Sequence, residues 1–169
     1  GKIVAIYTHG MEYGPRALGA RTIMAAPTDA VINQTLNERL DRSDFMPFAP
    51  VVTAEDADTV FDLGPIKTYA ARFMTTTCGV KPAWRGRIPA VVHVDGTARP
   101  QVIERDQNPL YYDIVKDYAA RSGIPVLINT SFNVHEEPII NNPAECARAL
   151  RDGRVDYVVT EAAVWGRAA

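Results

Sequence analysis

The chain has 169 residues, 47% of them hydrophobic and 22% charged, which is enough for one sizeable core and crowded for two domains. Eighteen basic against twenty acidic side chains leave a net charge of -2, which excludes an overall field drawing in nucleic acid, so any anion site has to be local. Cys78 and Cys146 are too few for a disulfide framework, no apolar run reaches membrane-span length, and the opening residues lack the regions of a signal peptide, so a cytoplasmic protein without nucleic-acid or membrane partners is expected.

Residues 2–10, KIVAIYTHG, read as a buried strand closed by glycine. The stretch begins with Gly-Lys rather than Met, directly before this run, so a single domain cut from a longer protein is expected over residues 1–169. GMEYGPRALGAR follows, with three glycines, a proline, two arginines and a glutamate, a composition that suits a shaped loop and neither a helix nor a central strand. TIMAAP is a short apolar segment. Thr28 is placed to cap a helix from about Asp29 to Arg39, with Val31, Ile32, Thr35, Leu36 and Leu40 spaced for one face. The two prolines of FMPFAPVV exclude a long helix, and TAEDADTVFDL reads as a short helix capped by Thr53.

KTYAARFMTTTC is β-rich in composition and AVVHV is a short strand, so the two are expected to share a sheet. Asp95-Gly96 is a turn signal, which would fold AVVHV and PQVIE into a hairpin. NPLYYDIVKDYAARSG is the clearest helix, with Asn108 as N-cap, Pro109 as first helical residue, Gly123 as stop, and Leu110, Ile114, Val115 and Tyr118 as its apolar face. IPVLINTSFN is a buried strand entering a polar turn, NPAECARALRDG repeats the Asn-Pro start and Gly stop of a helix, and VDYVVT is a final strand. The irregular interleaving predicts an α/β (α+β) fold with a mixed twisted sheet flanked by helices.

Three polar turns follow apolar strands, and strand ends are where ligands commonly sit. They offer Arg16, Arg21, Arg99, Asn129, Ser131 and Asn133, with backbone N–H groups expected from Gly10, Gly14, Gly19 and Gly96. Arginine forks and oriented amides bind phosphate or carboxylate. An arginine in a glycine-rich loop serves equally as a tie to carbonyls or to an acid such as Glu12, and Ser131 equally as an ordinary turn residue. The loop matches neither G-x-x-x-x-G-K-S/T nor G-x-G-x-x-G. His9, His93 and His135 have no metal-ligand spacing, and no metal held by protein ligands is expected. Trp84, Arg85 and Arg87 could stack on a base or simply cover the core.

The succession MEYGPRALGARTI, LNERLDRSDFMPFAPVV, PAVVHVDGTARPQVI, NPLYYDIV and GIPVLINTSFNVHEEPI resembles the C-terminal, YrdC-like domain of the NodU-type O-carbamoyltransferases over nearly the whole chain. The resemblance implies a mixed α/β fold around a positively lined cavity that uses ATP and carbamoyl phosphate to make carbamoyl-adenylate. It implies a separate N-terminal, acceptor-binding domain of the same polypeptide that passes the carbamoyl group to a substrate hydroxyl. Ser131-Phe132-Asn133 matches the Ser-x-Asn element of YrdC-like domains, and Arg99 in DGTAR and Arg16 in GPRALG fall on phosphate-contacting arginines. Arg21, Asn129 and Thr97 join the expected nucleotide and substrate contacts. Relatives use an early lysine with a nearby arginine, where this chain has Arg39 and Arg42 and no lysine.

The implied chemistry places charge on phosphoryl oxygens, so positioning arginines, backbone amides and Mg²⁺ held by the phosphates are expected. Residues 39–47 are a candidate lid that would keep water from the unstable carbamate. The alternative is a non-catalytic YrdC-like module that binds nucleotide or docks a partner.

Overall fold

The computed structural model describes residues 1–42 and 47–167. Its centre is a seven-stranded mixed sheet. In chain order the strands are β1 (Val4–Tyr7), β2 (Arg21–Ala25), β3 (Ala49–Thr53), β7 (Gln101–Ile103), β8 (Val126–Ser131), β9 (Tyr157–Val159) and β10 (Val164–Gly166). Across the sheet they run β10-β9-β1-β2-β8-β3-β7. The pairs β1 with β9 and β3 with β7 are parallel, and the rest are antiparallel. A smaller antiparallel sheet joins β4 (Phe61–Asp62), β5 (Cys78–Val80) and β6 (Thr97–Ala98). The mixed sheet expected from the irregular alternation is therefore present.

The central strands are apolar on both faces because helices cover both. On one face Ile6, Met24, Val51 and Leu127 pack with Tyr111 and Val115 of helix α5 (Pro109–Ser122). On the other, Ala5, Ile23, Val52, Val126 and Ile128 join Leu36 of α1 (Val31–Arg39) and Cys146 of α6 (Pro143–Arg151). Each fully buried Ile, Leu or Val contributes roughly 1.5–3 kcal/mol of hydrophobic free energy.

Local signals were accurate where backbone chemistry is explicit. Asn108 caps α5, its Oδ1 accepting from the Tyr111 amide at 3.1 Å, and Gly123 ends the helix at φ 69°. Asn142 and Glu145 form a capping box at the start of α6. Helix α1 departs from expectation: it begins at Val31, and Asp29 rather than Thr28 supplies the oxygen, accepting from the Val31 amide at 2.9 Å. Helix α2 (Ala54–Val60) starts after Thr53 as expected, but the Thr53 hydroxyl bonds the Asp56 carboxylate instead of an amide.

The stretch from Lys67 to Cys78 is not a strand. Its first half completes helix α3 (Gly64–Ala71), and only Cys78 enters β5. Tyr69 and Phe73, four residues apart, meet edge to face at 5.6 Å. AVVHV is likewise not a strand and forms no hairpin: Pro89–Val91 make a single 3-10 turn that follows the short helix α4 (Pro82–Arg85). Ala90 and Val91 are buried, and their apolar character serves core packing, while β7 pairs in parallel with β3. Of the expected face of α5, Val115 is buried and Ile114 and Tyr118 pack against the same core, which Tyr111 and Tyr112 extend as further buried residues. Strand β10, unforeseen, pairs antiparallel with β9.

Candidate functional site

The C-terminal end of β8 lies inside the sheet, between β2 and β3, and three chain segments converge there. The loop before β2 brings Pro15, Arg16 and Ala17; the segment entering β3 brings Pro47, Phe48 and Ala49; the corner between β6 and β7 brings Arg99. With Asn129, Thr130, Ser131, Arg42, Met74 and His135 they enclose a cleft of about 180 Å³. Among the described residues, none of those lining it carries a carboxylate.

Three guanidinium groups share this cleft. Arg42 Nη2 donates to Thr130 Oγ1 at 2.9 Å, its guanidinium lies 5.1 Å from the Phe48 ring centre, and burial pulls its pKa below the ordinary value. Arg99 Nη1 donates to the Met74 carbonyl at 3.1 Å; burial, and then the neighbouring charge of Arg16, lower its pKa. Arginine stays protonated even so. Among the described residues, ion pairs form at Arg39, Arg105, Lys116, Arg121, Arg154 and His9, and at none of these three. Converging positive charges with no counter-ion among the described residues favour an incoming anion.

The walls are held from behind. Asn129 Nδ2 donates to the Ala17 carbonyl at 3.0 Å and to Gln101 Oε1 at 2.7 Å, while Gln101 Nε2 donates to the Leu18 carbonyl at 3.1 Å. One buried amide pair thereby ties the loop bearing Arg16 to the floor strand and to the strand after Arg99. Met74 sits at φ 56°, in the left-handed region that a side chain enters with strain, and it is this residue's carbonyl that holds Arg99. Ser131 Oγ donates to Asn133 Oδ1 at 2.5 Å, and Asn133 Nδ2 to the Glu137 carbonyl at 2.7 Å. The Ser-x-Asn element is thus a bonded unit at the strand end.

The expected residues divide accordingly. Arg16, Arg42, Arg99, Asn129 and Ser131 come together in the cleft, and Asn133 reaches it through Ser131 while lining the neighbouring cavity. Three others lie elsewhere. Arg21 is 3% exposed: Nη1 donates to the carbonyls of Thr8 and Ala20, Nη2 donates to that of His9, and the guanidinium lies 3.7 Å from the Tyr7 ring centre. It is the structural tie that the loop composition equally allowed. Arg39 pairs with Asp156 at 3.0 Å, joining α1 to the segment before β9. Thr97 belongs to the Asp95-Gly96 turn, its hydroxyl donating to Asp95 Oδ1 at 2.7 Å. Part of the expected lid, residues 43–46, lies outside the described residues.

The loop amides also differ from expectation. Glu12 Oε1 accepts from the amides of Leu18, Ala20 and Arg21 at 2.8, 2.7 and 3.0 Å, and the Gly19 amide donates to Thr22 Oγ1. The loop folds around its own carboxylate. Gly19 is needed there for room: at φ 116°, a Cβ would lie 2.3 Å from Tyr111 Cδ1. Sequence reasoning missed Thr130, Phe48, Met74 and His135 as cleft residues. Thr130 sits inside the Asn-Thr-Ser-Phe-Asn run and was open to recognition, whereas nothing in RFMTTT marks the Met74 carbonyl.

The chain matches a family model described as Carbamoyltransferase C-terminus over residues 1–167. The uncharacterized protein MJ1058 of Methanocaldococcus jannaschii is 36% identical over 162 residues, which are 95% of this chain and 26% of that protein. Nodulation protein NolO of Bradyrhizobium diazoefficiens is 38% identical over 149 residues, 88% of this chain and 27% of its own. The chain thus spans about a quarter of the length of these relatives. Full-length HypF, solved as a crystal structure in a phosphate- and nucleotide-bound form, superposes with a TM-score of 0.63 at 20% identity over 94% of this chain and 22% of HypF, so the two share a fold.

Proposed function

The chain belongs to the carbamoyltransferase C-terminal family, and from that premise we propose that its cleft activates carbamoyl phosphate with ATP. The product is a carbamoyl-adenylate, which an N-terminal domain of the same polypeptide passes to a substrate hydroxyl. The observation carrying this reading is the convergence of Arg16, Arg42 and Arg99 beside Ser131 in a cleft whose described lining has no carboxylate. The phosphate- and nucleotide-bound form of HypF, which has the same fold, supports it.

Water first cleaves carbamoyl phosphate into carbamate and inorganic phosphate. A carbamate oxygen then bonds the α-phosphorus of ATP as the bond to pyrophosphate breaks, so the electron pair leaves with pyrophosphate. Negative charge builds on phosphoryl oxygens throughout, and preorganised arginine donors stabilise it. Ser131 Oγ, which donates to Asn133, can turn its hydrogen to an acyl or phosphoryl oxygen. A volume of about 180 Å³ is below the roughly 300–1,000 Å³ of pockets that engulf drug-sized ligands. It suits carbamoyl phosphate or a phosphate chain, with the nucleoside lying outside. Mg²⁺ would be held by the ATP phosphates and neutralise part of their charge, which fits a lining of guanidinium groups rather than carboxylates.

The test is carbamoyl phosphate-dependent release of pyrophosphate from ATP by the full-length protein. Arg99→Ala is expected to lower the rate on the order of 10² or more, as removal of an oxyanion-stabilising donor does, and Ser131→Ala to lower it as well. Unchanged turnover in a folded Arg99→Ala protein would put the reaction outside this cleft and leave the domain a binding or docking module.

A further inference from the structure

The cleft contains one amide whose bonding is incomplete. Asn129 is 1% exposed and lines the cleft. Its Nδ2 faces the Ala17 carbonyl and Gln101 Oε1. That orientation is dictated, because a main-chain carbonyl only accepts. Gln101 is oriented in turn by the Leu18 carbonyl, which takes its Nε2 hydrogen. Asn129 Oδ1 is therefore an acceptor, and it is buried with no hydrogen-bond partner among the described residues. Among the described residues, the other buried side-chain atoms without a partner belong to Thr8, Glu12, Arg21, Asn33 and Asn37, none of which lines the cleft. A buried amide oxygen without a donor is unfavourable, and a ligand that brings an N–H relieves it. The arginines and Ser131 are donors that suit any acyl phosphate and do not tell one from another.

We propose that Asn129 is a specificity-determining residue whose Oδ1 accepts an N–H from the carbamoyl group, selecting carbamoyl phosphate over acyl phosphates that carry a methyl in its place. This rests on the reading of the cleft as a carbamoyl phosphate site. Acetyl phosphate matches carbamoyl phosphate closely in size and charge, but its methyl cannot donate, so Oδ1 would stay buried and unpaired beneath it. A site built to bond an N–H rejects the analogue lacking it far better than an apolar pocket rejects an extra methyl.

Binding of carbamoyl phosphate, acetyl phosphate and inorganic phosphate to the full-length protein tests this, with Asn129→Leu and Asn129→Asp as variants. The native protein is expected to hold carbamoyl phosphate about tenfold or more tighter than acetyl phosphate, the effect of one satisfied against one orphaned hydrogen-bonding group. Asn129→Leu also loses the Nδ2 bonds to the Ala17 carbonyl and Gln101, so it should weaken all three anions while bringing the two acyl phosphates within about twofold of each other, and Asn129→Asp, which loses the same donor but keeps an acceptor oxygen, should weaken all three while keeping the preference. If Asn129→Leu weakens the three ligands equally and the preference survives, Asn129 only supports the loop and the proposal fails. Should that variant not fold, loss of the preference in Asn129→Asp overturns the proposal equally. A native protein that binds both acyl phosphates alike defeats this inference alone, whereas one that binds neither defeats the reading of the cleft.

Discussion

Five arginines were marked as site candidates, and the structure separates them by their partners. Arg16, Arg42 and Arg99 face a shared cleft without an ion pair among the described residues, while Arg21 and Arg39 are consumed by carbonyls and by Asp156. Composition cannot make that distinction, since the donor fork is the same and only its surroundings differ. Arg21 is consequently expected to matter to folding. Arg21→Ala leaves carbonyls of Thr8, His9 and Ala20 without their charged donor and should destabilise by about 2–4 kcal/mol, seen as a lower denaturant midpoint. Its turnover per folded molecule should be retained, whereas Arg99→Ala should show the opposite pattern.

At the scale of elements, the helices that begin Asn-Pro were legible because their caps are local. Glu145 shows the energetic side of such a cap: amides of Asn141 and then Asn142 donate to its carboxylate and hold its pKa below the ordinary value. A depressed folded pKa means that this contribution is fully present above the unfolded carboxylate pKa of about 4.3 and is lost as pH falls through the lower folded value. Unfolding experiments across the acid range should therefore find Glu145→Gln less stable than the native protein near neutral pH, with the difference shrinking toward pH 3. Strand assignment was less legible. AVVHV is as β-prone as any run in the chain, yet Pro89 lacks a donor and Ala90 and Val91 are buried by packing rather than by pairing.

For the whole molecule, the cleft exists because the sheet order places β8 between β2 and β3, so that its end meets loops from residues more than a hundred positions apart. An anion that binds there stabilises the folded state alone. Inorganic phosphate at a hundred times its Kd should raise stability by about 2.7 kcal/mol, or about 5–10 °C in Tm for a chain of this size. Arg42→Met should lose most of that rise in thermal melts while keeping a similar Tm without phosphate. A rise undiminished in Arg42→Met would place the anion elsewhere.

The sequence by itself determined the mixed α/β class, the capped helices, the family resemblance and the Ser131-Phe132-Asn133 turn, because each is written in neighbouring residues whose backbone chemistry is local. Only the tertiary structure decided, among the described residues, which arginines share the cleft without an ion pair, that Glu12 holds three amides of the glycine-rich loop, and that Asn129 keeps an unpaired oxygen. Those outcomes depend on which distant groups compete for the same donors and acceptors. That competition is settled only when the sheet brings them within hydrogen-bonding distance.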